Sequence, residues 1–176
     1  MRKLAAVIAL TVGLVGPIMA SDGATLVRFK GGIGVQPISN VRPPANADGT
    51  FSIVSRNVVR GVNPAGPWRI ANLRAEIKTN GRIHVTGRGL LLAAGDSIGQ
   101  NANQRVFATL ICEATAPFAP HSSAFTGVPL EPHGDFEIDD GLDSIAASCP
   151  SPVLLIRSAG NGSWFAAGIQ QLEEED

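Results

Sequence analysis

The chain has 176 residues and a formal net charge of −1, with 14 Lys and Arg against 15 Asp and Glu. That length suits one domain with a sizeable core, and scattered basic residues without a Lys/Arg cluster argue against a nucleic-acid partner. Seven Phe, two Trp and no Tyr make the chain poorer in aromatic residues than sugar-binding faces or antibody paratopes.

The first twenty residues have the order of a secretory signal peptide. Arg2 and Lys3 precede an apolar run over residues 4–15, and small and helix-breaking residues follow it up to Ala20. The run is shorter than the roughly 20 apolar residues of a membrane span. We therefore predict cleavage after Ala20, and an uncleaved membrane anchor is the alternative.

This pattern divides the chain into three segments. We predict a signal peptide over residues 1–20, a single β domain over 21–172 and an acidic, disordered tail over 173–176. The short basic start looks bacterial, so the expected location is periplasmic or secreted, with no stable membrane span after cleavage. In that oxidising location we expect a structural disulfide between Cys112 and Cys149, with two free thiols or a redox pair as alternatives.

Charge is unevenly distributed along the predicted mature chain. Residues 21–110 carry eleven Lys/Arg and four Asp/Glu, whereas residues 111–176 carry only Arg157 against eleven Asp/Glu. Strands from the two halves that interleave in space would neutralise each other, and we favour this interpretation. The alternative is a dipolar molecule that associates head to tail.

Apolar residues recur mostly at every second position, which is typical of half-buried β-strands, and we find no convincing amphipathic helix after the signal. Strand candidates, in chain order, cover residues 24–29 with a continuation to 38, 51–54, 57–62, 73–78, 82–87, 89–93, 106–112, 135–139, 152–157 and 164–169. Dense turn signals separate them. The prediction is an all-β antiparallel β-sandwich of the immunoglobulin or transthyretin type, with one disulfide.

The Asn-Gly pair at residues 80–81 permits two hairpins. A two-residue turn would place Ile77 opposite His84, an apolar residue against a polar one. A three-residue loop, with Gly81 in a left-handed conformation, places Ile77 opposite Ile83. The alternation of the flanking residues therefore predicts the three-residue loop.

Residues 95–99, Gly-Asp-Ser-Ile-Gly, match the G-x-S-x-G pattern of a hydrolase nucleophile elbow. A helix must follow such an elbow, but residues 100–104 have no apolar stripe to bury. An exposed loop explains the same five residues, so we predict no catalytic residue. The alternative is a small secreted serine hydrolase with Ser97 as nucleophile and His121 or His133 as base.

No metal or cofactor site is predicted. The spacing of His84, His121 and His133 does not fit a metal site, with each other or with the cysteines. The acidic segment 135–143 lacks the glycine and the terminal glutamate of an EF-hand loop. Its alternation with Phe136 and Ile138 indicates a solvated strand face instead, with a weak cation site as the alternative.

Three stretches of the chain, residues 88–95, 152–157 and 164–169, resemble uncharacterised exported bacterial proteins. This resemblance implies no activity. The succession of strand, Cys112, Gly-Asp-Phe turn, strand and Cys149 is loosely similar to transthyretin-like and pollen-allergen-like sandwiches. That likeness implies a fold and no residue roles.

Together these observations predict a non-catalytic envelope or secreted protein that binds or supports another macromolecule, either a protein or an envelope component. One alternative is the serine hydrolase described above. The other is a secreted inhibitor or ligand-carrying module that uses residues 114–126, a long segment without a strand pattern.

Overall fold

The computed structural model describes residues 23–36, 39–41, 44–49 and 54–172, so the predicted signal peptide and acidic tail lie outside the described residues. In these ranges no helix is long and apolar enough to cross a membrane. The strands are β1 (Thr25–Gly34), β2 (Ser39–Val41), β3 (Val54–Arg56), β4 (Trp68–Arg69), β5 (Asn72–Lys78), β6 (Arg82–Arg88), β7 (Leu91–Leu92), β8 (Arg105–Ile111), β9 (Pro120–Ser122), β10 (Val128–Pro129), β11 (Phe136–Gly141), β12 (Val153–Ser158) and β13 (Trp164–Gln170).

One antiparallel sheet contains most of these strands, in the order β10-β8-β12-β13-β1-β5-β6-β11, and β9 also pairs with β8. The two ends of this sheet meet. The backbone N–H of Asp143, just after β11, donates to the carbonyl of Ser122 in β9 at 2.8 Å. The Ser122 N–H in turn donates to the Asp143 carboxylate at 2.9 Å. The sheet is therefore a nearly closed barrel.

The barrel corrects part of the predicted fold. An all-β antiparallel protein is confirmed, but the main sheet is not a clear sandwich of two facing layers. Strong curvature is possible where a glycine lies beneath an aromatic ring of the neighbouring strand. The ring of Phe136 covers Gly87, and the ring of Phe29 lies 2.9 Å from the position that a side chain on Gly168 would take. Alternating apolar residues do not reveal this, because sandwich and barrel strands both bury one face.

The β5–β6 hairpin has the predicted geometry. Ile77 pairs with Ile83, and Ala75 pairs with Val85. Gly81 has φ +83°, and its N–H donates to the carbonyl of Lys78 at 3.0 Å. The three-residue loop is confirmed.

Two apolar clusters hold the barrel together. The larger one fills its interior, where Leu73, Val85, Leu110 and Ile156 are each fully buried. A smaller one lies on the outer face of the sheet, where Val59, Val62 and Phe118 pack against a buried group made of Val35, Ile111, Leu155 and Trp164. The central strands β8 and β12 are thus buried on both faces, which explains their nearly continuous apolar sequence.

Of the other strand predictions, 24–29 and 89–93 are confirmed in part, with different bounds, and 57–62 is wrong. Residues 37–38 of the predicted continuation and 51–53 of the 51–54 candidate lie outside the described residues. β1 contains a bulge between Phe29 and Gly32 and ends at Gly34. The continuous apolar run 89–93 contributes only β7, which pairs with the equally short β4. Within 57–62 the structure has a single bridge between Val59 and Val62.

The predicted disulfide is present. Cys112 and Cys149 are bonded, with a Cα–Cα distance of 4.5 Å and a sequence separation of 37 residues. Cys112 follows β8 directly and is buried, and Cys149 precedes β12, the neighbour of β8 in the sheet. The bond therefore fixes the long excursion that contains β9, β10 and β11.

Candidate functional site

Ser97 lies on an exposed turn. The N–H of Ile98 donates to the carbonyl of Gly95 at 3.2 Å, and that of Gly99 donates to the carbonyl of Leu92 at 2.9 Å. No helix follows, and within the described residues the Ser97 hydroxyl has no hydrogen-bond partner. The geometry of a nucleophile elbow is therefore not formed here.

The histidines have separate environments. His121 is 8% exposed and its Nδ1 lies 2.8 Å from the Oγ of Ser144, not from Ser97. His84 is half-exposed on the barrel surface, 3.9 Å from the Glu137 carboxylate, and His133 is exposed. In the ranges that the structure covers, no group of three or more His, Cys, Asp or Glu could hold a metal ion.

The acidic residues around β11 have two roles. Glu137 and Asp139 are on the outer strand face, while Phe136 and Ile138 are buried, as the alternation predicted. Asp140 accepts the N–H of Ala124 at 2.8 Å. Like the Asp143–Ser122 contact, this hydrogen bond ties β11 to the segment around β9.

Residues 114–126 are less loop-like than predicted, because β9 lies within them and its Ser122 is buried. Phe125, at the far end of the segment, is 60% exposed. Its ring meets that of buried Phe107 edge to face, with 5.1 Å between the ring centres. Such a contact favours this orientation of the exposed ring.

Arg157 completes this arrangement. Its Cζ lies 5.0 Å from the centre of the Phe107 ring. Its Nε donates to the carbonyl of Gly162 at 2.8 Å, and its Nη1 donates to the Thr109 hydroxyl at 3.2 Å. We call Phe107, Phe125 and Arg157 the aromatic–arginine site.

No carboxylate in the described part of the chain lies within 4 Å of the Arg157 guanidinium. Partial burial lowers the pKa of Arg157 below its ordinary value, since desolvation disfavours the charged form. The group nonetheless stays protonated at neutral pH. The site thus holds a half-buried positive charge whose protein partners are all neutral.

A second charged surface covers the outside of β1, β5, β6 and β11, where side chains form rows across the strands. One row is Arg28, Glu76, His84 and Asp139, and the next is Lys30, Arg74, Thr86 and Glu137. We call these residues the outer charged face. Arg82 lies 3.6 Å from Asp139, so at this pair basic and acidic halves of the sequence do interleave.

Glu76 is the centre of the basic side of this face. Its Oε1 accepts a hydrogen bond from the Thr25 hydroxyl at 2.7 Å and from the Arg28 guanidinium at 2.9 Å, and it lies 3.3 Å from Lys78 Nζ. These contacts, led by the Thr25 hydrogen bond, lower the pKa of Glu76 to about 2. The carboxylate is therefore ionised and already shared by two cations.

Three comparisons, with family models, with curated proteins and with solved structures, found no match to the chain. The resemblances described from the sequence therefore stay predictions, and no residue role can be transferred. The functional argument depends on the chain's own surfaces.

Sequence patterns did not reveal the aromatic–arginine site. Arg157 and Phe107 are paired residues of adjacent strands, 50 positions apart in the chain, and only the β8–β12 register joins them. One signal was available. Arg157 is the only Lys or Arg after residue 110, and it lies within a largely apolar strand.

Proposed function

We propose that this protein is exported and acts in the periplasm or the medium as a non-catalytic binding protein. The partner is a protein that presents a carboxylate beside an apolar side chain. The observation that carries the proposal is Arg157, a half-buried cation without a carboxylate partner in the described residues. It lies over the ring of Phe107, and the exposed ring of Phe125 packs against that same ring.

The chemistry of the site supports this partner class. Arg and aromatic residues are enriched at the energetic centres of protein interfaces. A partially desolvated guanidinium binds a carboxylate more strongly than a fully solvated one does, and it can do so through two parallel hydrogen bonds. The exposed ring supplies apolar contact area at little entropic cost.

Two observations support the proposed location outside the cytoplasm. The first twenty residues have the pattern of an export signal, and a disulfide such as Cys112–Cys149 is usual in proteins outside the cytoplasm. The bond also stiffens the segment that carries Phe125. A rigid binding surface loses less conformational entropy when the partner docks.

Photo-crosslinking tests the proposal. A photoreactive phenylalanine replaces Phe125, and the protein is irradiated in an extract of the envelope of its source cells. The control has the same group at Ile98, which is 63% exposed on another turn. We expect an adduct from position 125 that Arg157→Gln abolishes. Equal adducts from both positions, or no effect of Arg157→Gln, would contradict the proposal.

Deletion of residues 114–126 is not a suitable test. β9 lies within that segment, and Ser122 joins the two ends of the sheet. Removing it would open the barrel, so a loss of binding would report unfolding and not the loss of a contact. Point substitutions at exposed Phe125 avoid this problem.

A further inference from the structure

On the outer charged face, Lys30 in β1 and Arg74 in β5 occupy directly opposite positions of an antiparallel pair. Like charges in such positions repel each other and weaken the pairing. Both side chains are exposed, and in the described residues neither has an ion-pair or hydrogen-bond partner. The strand pair thus carries two cationic side chains at opposite positions, and no carboxylate of the described residues lies within 4 Å of either.

The nearest acidic residue along the same strands forms no ion pair with Lys30 or Arg74. Glu76, two residues from Arg74, directs its Oε1 to Thr25, Arg28 and Lys78. Among Arg28, Lys30, Arg74, Glu76 and Lys78 there are therefore four cations and one anion. The excess positive charge is concentrated where Lys30 and Arg74 meet.

The two cations also border a shallow pocket of about 250 Å³. Arg28, Glu76, His84 and Gln171 line the rest of its rim. A pocket of this size has room for a compact anion with several oxygens. Lys and Arg supply N–H donors to such an anion, and the Gln171 amide is available as a further donor.

We propose that the Lys30–Arg74 pocket binds a compact tetrahedral dianion, either inorganic phosphate or the phosphomonoester group of a larger envelope molecule. Two charges on the anion match the two unneutralised cations, and bound phosphate converts their mutual repulsion into two attractive contacts. This site is separate from the aromatic–arginine site, and either one can exist without the other.

Thermal unfolding of the full chain in sodium phosphate, compared with sodium chloride at the same ionic strength, tests the proposal. A ligand that binds only the folded state raises Tm with its concentration. We expect a phosphate-specific rise in Tm for the unsubstituted protein. Lys30→Gln and Arg74→Gln should each weaken phosphate binding at least tenfold, whereas Arg69→Gln, which removes an exposed arginine outside the pocket, should not.

Residues 173–176, which follow Gln171 closely in the sequence, are all acidic. The titration is therefore repeated on a variant in which these four residues carry amides. A phosphate-specific rise in Tm in either protein, lost in Arg74→Gln, supports the proposal. No phosphate-specific rise in either protein overturns it, as does an equal loss in Arg69→Gln.

Binding to vesicles distinguishes a membrane-borne phosphomonoester from free phosphate as the ligand. Sedimentation is measured with phosphatidylcholine vesicles that contain phosphatidic acid, whose headgroup is a phosphomonoester, and with pure phosphatidylcholine vesicles. Binding to the first alone, lost in Lys30→Gln and kept in Arg69→Gln, indicates a membrane-borne group. Binding that Lys30→Gln and Arg69→Gln weaken equally is general charge attraction and counts against the pocket.

Discussion

The guanidinium of Arg157 lies 5.0 Å from the centre of the Phe107 ring, and the two residues are paired across β12 and β8. The ring covers one side of the cation, while the Gly162 carbonyl and the Thr109 hydroxyl hold its N–H groups. All three partners are neutral. The charge is therefore fixed in position without being cancelled, which leaves it able to attract a carboxylate.

Arg157→Met should remove the charge, and with it partner binding, while leaving the stability of the fold nearly unchanged. Methionine keeps an unbranched apolar chain over Phe107, and the loss of two hydrogen bonds is offset by relief from desolvating a cation. We expect the free energy of unfolding to change by less than about 1 kcal/mol. Urea unfolding measures this change, and binding of the crosslinked partner should be lost in the same variant.

Arg157→Lys is the matched control for charge alone. Lysine keeps the charge but not the planar fork that bonds a carboxylate through two N–H groups. We expect the lysine variant to bind the partner more weakly than the unsubstituted protein and better than Arg157→Met. Full binding by the methionine variant would show that the charge has no part in recognition.

Glu76 should make stability depend on pH in the acid range. Its pKa is lowered to about 2 in the folded protein, so the folded state favours the ionised form. The resulting stabilisation is fully present above the unfolded pKa of about 4.3 and is lost as the pH falls through about 2. Because the side chain is about one-third exposed, solvent screening limits the effect to about 0.5–1 kcal/mol.

Glu76→Gln tests the predicted direction of this pH dependence. The variant should be less stable than the unsubstituted protein at pH 7, and the difference should shrink as the pH falls toward 2. Glu131→Gln is the control, since Glu131 is exposed and its side chain has no partner in the described residues. Urea unfolding at several pH values measures both, and a difference that grows toward low pH would refute the assignment.

Much of the fold follows from local patterns that the sequence displays directly. Alternation located β5, β6, β8 and β11, and the polarity of His84 against Ile83 was enough to select the hairpin loop. Sheet closure does not follow from such patterns. It depends on contacts such as Ser122 with Asp143, which are polar and distant in the chain.

Sequence patterns did not predict the two proposed sites, for a related reason. Whether Lys30 faces Arg74 or Glu76 is decided by a two-residue shift in the β1–β5 register, and β1 contains an irregularity that no composition rule predicts. A charge pattern read along one strand therefore identifies an exposed face. It does not show which charges across that face remain unmatched.

Gly87→Ala tests the close approach that helps the barrel to curve. The Phe136 ring lies where a methyl group on Gly87 would be, so alanine must displace a buried side chain. We expect a loss of about 1–3 kcal/mol in the free energy of unfolding, as is usual for an overfilled core. Gly141→Ala, in the adjacent strand with open space around it, should change stability by less than about 0.5 kcal/mol.

Intact mass measurement of the protein recovered from outside the cytoplasm tests export and the disulfide together. We expect a mass that begins at Ser21, with Cys112 and Cys149 alkylated only after reduction. Closing a loop of 37 residues stabilises the fold by roughly 3–4 kcal/mol in the chain-entropy model, so Cys149→Ser should lower stability by about that amount. A mass that retains Met1, or thiols alkylated without reduction, would contradict the proposed location and move the search for the partner to the membrane or the cytoplasm.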